Sequence, residues 1–279
     1  MEEIRMTDQE LRQKATEVRE GIIESVHAAG SGHPGGSLGA AEIFTYLYFE
    51  EMNIDPEEPK AENRDRFVLS KGHTAPGLYS AMAARGYFPK KELLTLRKLG
   101  SRLQGHPNMH DLPGIDMSTG SLGQGISNAV GMALAAKMDK KDYRVFTLLG
   151  DGEIQEGQVW EAAMFAGSRN LDNLVVIVDN NNLQIDGTIE EVNDPYPIDK
   201  KFEAFQFRVI DVDDGNDITQ LRRAFDEAKQ VKGQPVVIIA KTVKGKGVSF
   251  MENVAGWHGK APSDEQYEQA MKELREEGK

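Results

Sequence analysis

Two oxygen-rich segments carry most of the chemistry in this sequence. Gly150-Asp151-Gly152 follows the apolar run Val145-Phe146-Thr147-Leu148-Leu149, and Asn180-Asn181-Asn182 follows a second apolar run from Leu174 to Val178. Between them, Gln155 to Ser168 has the character of a helix. A helix of about 14 residues covers ~21 Å, and a strand of about 6 residues covers ~20 Å. The chain therefore descends one length and climbs back over it, which predicts Asp151 and Asn181 side by side at one edge of a sheet. Ligands of open α/β sheets bind at that edge. A carboxylate, a carboxamide and a nearby main-chain carbonyl are hard oxygen donors for Mg²⁺ or Ca²⁺, with water or phosphate oxygens in the remaining positions. Gly152 lets main-chain N–H groups approach an anion, and the helix that follows favours negative charge at its N-terminus. The predicted ligand is a metal-bridged diphosphate. Each segment alone is explained by turn chemistry; their occurrence at matched strand ends favours the ligand.

The elements that must hold these tips alternate between helix and strand patterns. Thr7 and Glu10 form a capping box ahead of an apolar stripe at Leu11, Ala15, Val18, Ile22 and Val26, with Gly30 as its C-terminal stop. A Gly/Pro-rich loop over 30–39 is expected next, then an amphipathic helix near Ala40 to Glu51 and a polar loop over 53–65. Helices are expected over Ala75 to Arg85 and Leu122 to Met138. The irregular stretch 100–119 between them has the length and composition of a functional loop. Beyond the βαβ unit come a strand (Phe207 to Val212), a helix (Ile218 to Val231) and a strand (Pro235 to Ala240). A Gly-rich loop (Thr242 to Pro262) and a charged helix (Ser263 to Lys279) follow. The unbroken apolar run at 235–240 is that of a strand buried on both faces, as in parallel sheets. The expected fold is α/β, a three-layer parallel sheet with helices on both faces, in a single domain over 1–279.

Composition narrows the function. Zero cysteines exclude thiol catalysis and disulfides, and the net charge of −12 argues against a nucleic-acid surface. The charged N-terminus MEEIRMTDQELRQK lacks a signal-peptide core, and no apolar run is long enough to span a membrane. A cytoplasmic setting is expected. The acidic chain must attract an anionic ligand locally, through amides, histidines and a few lysines. Of six histidines, His33, His73, His106 and His258 lie in glycine-flanked loops, where functional residues concentrate. His27 falls in the first helix and reads as structural; His110 is ambiguous. The spacings do not match compact zinc motifs.

Gly-Asp-Gly, some 25 residues, then Asn-Asn resembles the thiamine diphosphate fingerprint. The chain as a whole resembles transketolase. SGHPGGSLG at 31–39, LSKGH at 69–73, GHP at 105–107, TGSLGQGISNAVGMA at 119–133, GDGEIQEG at 150–157 and GWHG at 256–259 fall in family order. The resemblance is to the diphosphate-binding domain only. It implies the N-terminal subunit of a split transketolase, thiamine diphosphate and Mg²⁺ (or Ca²⁺ or Mn²⁺) as cofactors, and a C-terminal partner subunit carrying the pyrimidine-binding domain, in an α₂β₂ assembly.

By that resemblance Asp151, Asn181 and the Leu183 carbonyl are metal ligands. His73, His258, Gly152 and Lys244 contact the diphosphate, and Gly120, Ser121 and Leu122 pack against the cofactor rings. His33, His106 and His258 bind sugar phosphate substrates. His258, assisted by His33, is the expected base for a substrate hydroxyl, since histidine titrates near neutrality. Glu156 and Glu161 match residues between two cofactor sites. Three other readings stay open. These are another family enzyme acting on a different ketose, such as deoxyxylulose phosphate synthase or an unusual-pentulose transketolase, the α-subunit of a 2-oxo acid dehydrogenase, and a non-catalytic cofactor-binding scaffold.

Overall fold

The Thr7 hydroxyl accepts the Glu10 N–H, the Glu10 carboxylate accepts the Thr7 N–H, and the capping box opens α1 (Asp8–Ala29) as its sequence predicts. Gly30, in the left-handed region at φ 60°, closes it. In the computed structural model, which describes residues 5–278, the helical and strand elements then follow in order. They are α2 (Pro34–Gly39), α3 (Ala41–Tyr46), β1 (Arg66–Leu69), α4 (Ala75–Arg85), α5 (Gly125–Met138), β2 (Val145–Gly150), α6 (Gly157–Ser168) and β3 (Leu174–Asn180). After a small hairpin, β4 (Leu183–Gln184) and β5 (Gly187–Thr188), come α7 (Ile189–Asn193), α8 (Ile198–Ala204), β6 (Arg208–Val212), α9 (Ile218–Gln230), β7 (Val236–Lys241) and α10 (Asp264–Glu277). The first four residues of the charged N-terminus, and Lys279 of the expected last helix, lie outside the described residues.

Five strands form one parallel sheet in the order β1-β2-β3-β7-β6. Alternate residues of each strand serve opposite layers. On one face Phe146, Leu148, Val175, Ile177, Val236 and Ile238 pack with α1, α3, α4 and α9. On the other, Leu149, Leu174, Val176, Val178, Val237 and Ile239 pack with α5, α6 and α8. The expected three-layer α/β architecture is the one observed. The β2–β3 register pairs Gly150 with Asp179, so both strands end at one level. Among the described residues no helix is long and apolar enough to cross a membrane.

Several local expectations need correction. The loop expected over 30–39 folds from Pro34 onward as α2, with proline at the position where its missing N–H costs nothing. The helix expected near 40–51 is α3 continued by a π-helical turn, Leu47–Glu51. It is not amphipathic, because Ala41 through Tyr48 are all buried. The helix expected from Leu122 starts at Gly125. Strand β1, the β4–β5 hairpin, α7 and α8 are additions to the expected elements. They are short, and β1 reaches its length only by pairing along β2.

Candidate active site

The β2 and β3 tips meet around Asp151, which is 2% exposed. Its Oδ2 accepts the Asn182 main-chain N–H at 2.5 Å and the Asn180 amide at 3.2 Å; its Oδ1 accepts the Gly152 N–H at 2.9 Å. Asn181 lines the same cavity: its Oδ1 accepts the Leu183 N–H and its amide donates to Asp179. The Leu183 carbonyl faces inward and accepts Lys244 Nζ at 3.0 Å. Asp151, Gly152, Asn181, Leu183, Lys244, His73, His258 and Leu122 thus line one cavity of about 370 Å³.

The loop histidines also converge. The His33 ring centroid lies 5.2 Å from that of His73, 5.4 Å from that of His258 and 6.2 Å from that of His106; His73 and His258 stack at 5.0 Å. Gly120 backs this cluster, since a Cβ there would stand 2.9 Å from the His106 ring. Ser121 and Leu122 are exposed at the rim. His27 is apart, stacked on Tyr267 and paired with Asp264, and His110 is exposed. Glu156 and Glu161 are exposed on or beside α6.

Electrostatics separate the two regions. Burial, then the charge of Asp179, raises the Asp151 carboxyl to about 6, so it ionises fully only when a cation or higher pH assists it. Burial, then Lys71, lowers Lys244 to about 8. Burial lowers all four clustered histidines. His33 falls to about 4, with Arg97 the next cause, and His258 to about 3, with Lys244 next; His73 and His106 move in the same direction. The cluster is therefore neutral at pH 7, a set of rings that donate and accept hydrogen bonds as a polyhydroxylated ligand does.

These shifts couple the cluster to stability. A histidine whose folded pKa lies below its unfolded value of 6.5 contributes stability at high pH, and loses it as pH falls through 6.5 toward the folded value. The unfolding temperature of the isolated chain should fall as pH drops below about 6.5. The paired substitution His33→Gln and His258→Gln should flatten that slope in a calorimetric pH series. An unchanged slope would show that the rings do not carry it.

Sequence reasoning missed three buried groups in this region. Lys71, within LSKGH, lies 2% exposed in the cavity wall and is ion-paired to Asp179, which is fully buried and also accepts the Thr242 hydroxyl. Glu153 accepts from Ser70, Gly123 and Gly150, tying the β1 and β2 tips to the loop before α5. The motifs LSKGH and GDGEIQEG contain Lys71 and Glu153, but only the fold brings their partners together.

The residues fit a diphosphate held through a divalent ion. Oxygen donors from Asp151, Asn181 and Leu183 line one cavity, each accepting a hydrogen bond from the chain itself, and among the described residues no three acidic or histidine side chains form a self-sufficient metal site. A single carboxylate leaves coordination positions for phosphate oxygens. Gly36 keeps the wall near Lys71 and His73 low, and a Cβ at Gly152 would stand 3.3 Å from the Gln184 side chain.

Comparison with known proteins identifies the family and the fold. A family model described as transketolase, thiamine diphosphate binding domain, matches residues 11–277. A 6-deoxy-6-sulfo-D-fructose transketolase subunit of Clostridium sp. (strain MSTE9) is 45% identical over 269 residues, spanning 96% of this chain and 98% of that protein. One of the apulose-4-phosphate transketolase subunits of Phocaeicola vulgatus is 44% identical, spanning 92% of this chain and 91% of that protein. The solved transketolase of Campylobacter jejuni superposes with TM-score 0.91 at 35% identity, over 97% of this chain but 43% of that longer one.

Proposed function

This chain belongs to the family of transketolase thiamine diphosphate-binding domains, and from that premise we propose that it is the N-terminal subunit of a split transketolase. It transfers a two-carbon ketol unit from a ketose phosphate to an aldose phosphate. The proposed active form is an α₂β₂ assembly in the cytoplasm, with a C-terminal subunit that carries the pyrimidine-binding and C-terminal domains. The near-complete mutual coverage with proteins named as transketolase subunits supports this division. The observation that carries the reading is the single cavity where the Asp151 carboxylate, two buried lysines and the histidine cluster adjoin.

Bound thiamine diphosphate supplies the electron sink for cleaving the ketose C2–C3 bond. The chain's own groups hold and orient. Asp151, Asn181 and the Leu183 carbonyl are the proposed ligands of Mg²⁺, or of Ca²⁺ or Mn²⁺. His73, His258, Lys244 and Gly152, whose N–H donates to Asp151 Oδ1 in this structure, are the proposed contacts of the diphosphate; Gly120, Ser121 and Leu122 support the rings. His33, His106 and His258 bind the sugar hydroxyls, and His258, assisted by His33, handles a hydroxyl proton. Lys244 donates to or shares a proton with His258 Nδ1 at 3.0 Å, and its charge depresses the ring. Burial is the larger cause of that depression, and an anion beside Lys244 offsets only the part due to its charge.

The test is turnover of xylulose 5-phosphate with ribose 5-phosphate, thiamine diphosphate and Mg²⁺. The isolated chain should be silent, and co-expression with a complementary C-terminal subunit should create activity. Strong turnover by the chain alone would refute the split. Product from pyruvate instead of a ketose donor would reassign the reaction.

A further inference from the structure

Arg97 makes no ion pair with a carboxylate among the described residues, and hydrogen bonds from its backbone and side chain fix its place. It adopts φ 58°, a left-handed conformation uncommon for a residue with a side chain, and its N–H donates to the Leu103 carbonyl at 2.9 Å. Its guanidinium lies against Gly105, where a Cβ would stand 2.9 Å from Nε and 3.0 Å from Cζ. One terminal nitrogen donates to the Ser31 hydroxyl at 2.9 Å, and the other stands 3.4 Å from His33 Nδ1. One side chain thus bridges the loop that carries His33 and the loop that carries His106. Strained conformations of this kind persist where the surroundings enforce them, and they cluster at functional sites.

Guanidinium has N–H donors and no acceptor, so any hydrogen bond it makes to His33 requires a free lone pair on Nδ1. We propose that Arg97 is a positioning residue that holds His33 in its neutral Nε2–H tautomer. His33 is then a hydrogen-bond donor to a sugar oxygen, rather than a resting base. This rests on the sugar-binding role proposed for His33. The groups facing His33 are Arg97, His106, His73, His258 and Lys244; none is an anion, so nothing nearby favours a second proton on the ring.

The test reads imidazole ¹⁵N shifts of the ¹⁵N-histidine-labelled full chain, alone and assembled, with His33 assigned through His33→Gln. At pH 7.5 the wild-type ring should be neutral and protonated on Nε2. Arg97→Met should populate the Nδ1–H form and raise the pKa of His33. In the assembled enzyme it should lower kcat/KM about ten-fold and move the acid limb of the pH profile upward. Arg97→Lys, which restores a cationic donor without the planar fork, should recover part of each effect. A wild-type ring protonated on Nδ1 overturns the proposal. So does an unchanged tautomer and acid limb in Arg97→Met, or, should that variant not fold, in Arg97→Ala. The tautomer is read without turnover. A silent assembly with His33 still protonated on Nε2 would therefore fault the assigned reaction and leave Arg97's role standing.

Discussion

Asp151→Asn should abolish retention of thiamine diphosphate and lower the activity of the assembled enzyme by roughly 100-fold or more, while changing the stability of the apo chain little, since relief of the buried charge is set against an amide N–H turned toward one of the donors the carboxylate accepts. The two effects follow from one observation. Asp151 is the sole carboxylate among the proposed metal ligands, and it is buried beside a second carboxylate, Asp179, with which it makes no hydrogen bond. Its folded pKa is raised to about 6 from 3.8. Ionised at pH 7 it therefore works against folding, and that cost is relieved as pH falls from about 6 toward 3.8. The neutral amide removes the cost and the metal's anchor together. Two measurements separate these effects: thermal unfolding of the apo chain, and thiamine diphosphate binding by titration calorimetry in Mg²⁺. Loss of binding with a lower unfolding temperature would make Asp151 a structural residue. Retained binding would remove it from the metal site.

How much of this was legible in the sequence depended on the range of each interaction. The tips of β2 and β3 were readable because uniformly apolar runs ended abruptly in Asp and Asn, with a helix of matching length between them. The loops bearing His33, His73, His106 and His258 were readable through their glycines, although their meeting in one cluster is a property of the folded sheet edge. Helix α2 was hidden because its glycines mimic a loop, and burial under the Lys244 loop overrides their poor propensity. Strand β1 was hidden because four residues beginning with arginine carry no period; its neighbour β2 imposes the extended form. Lys71 was hidden for a different reason. A lysine before glycine reads as solvated, and its partner Asp179 lies 108 positions away inside an apolar run. Arg97 is similar, since Ser31 and His33 are 66 and 64 positions from it.

That long-range pair carries the second large effect. Lys71→Met should destabilise the chain by about 3–5 kcal/mol, the cost of leaving a buried charge without its counterion. Asp179 is fully buried, and its other partners, the Thr242 hydroxyl and the Asn181 amide, are neutral. Neutral donors soften the loss but do not replace an ammonium. Changing both partners, Lys71→Met with Asp179→Asn, should recover most of the stability because no charge is then stranded. It should not recover cofactor binding, because Lys71 also lines the cavity proposed for the diphosphate. Urea unfolding of the single and paired variants, set beside thiamine diphosphate titration, distinguishes the two contributions. A single variant within about 1 kcal/mol of wild type would mean that the neutral donors around Asp179 compensate for the lost ammonium. A paired variant that binds the cofactor normally would mean that Lys71 serves the fold alone, and that the positive charge facing the diphosphate comes from Lys244 and the helix and loop amides.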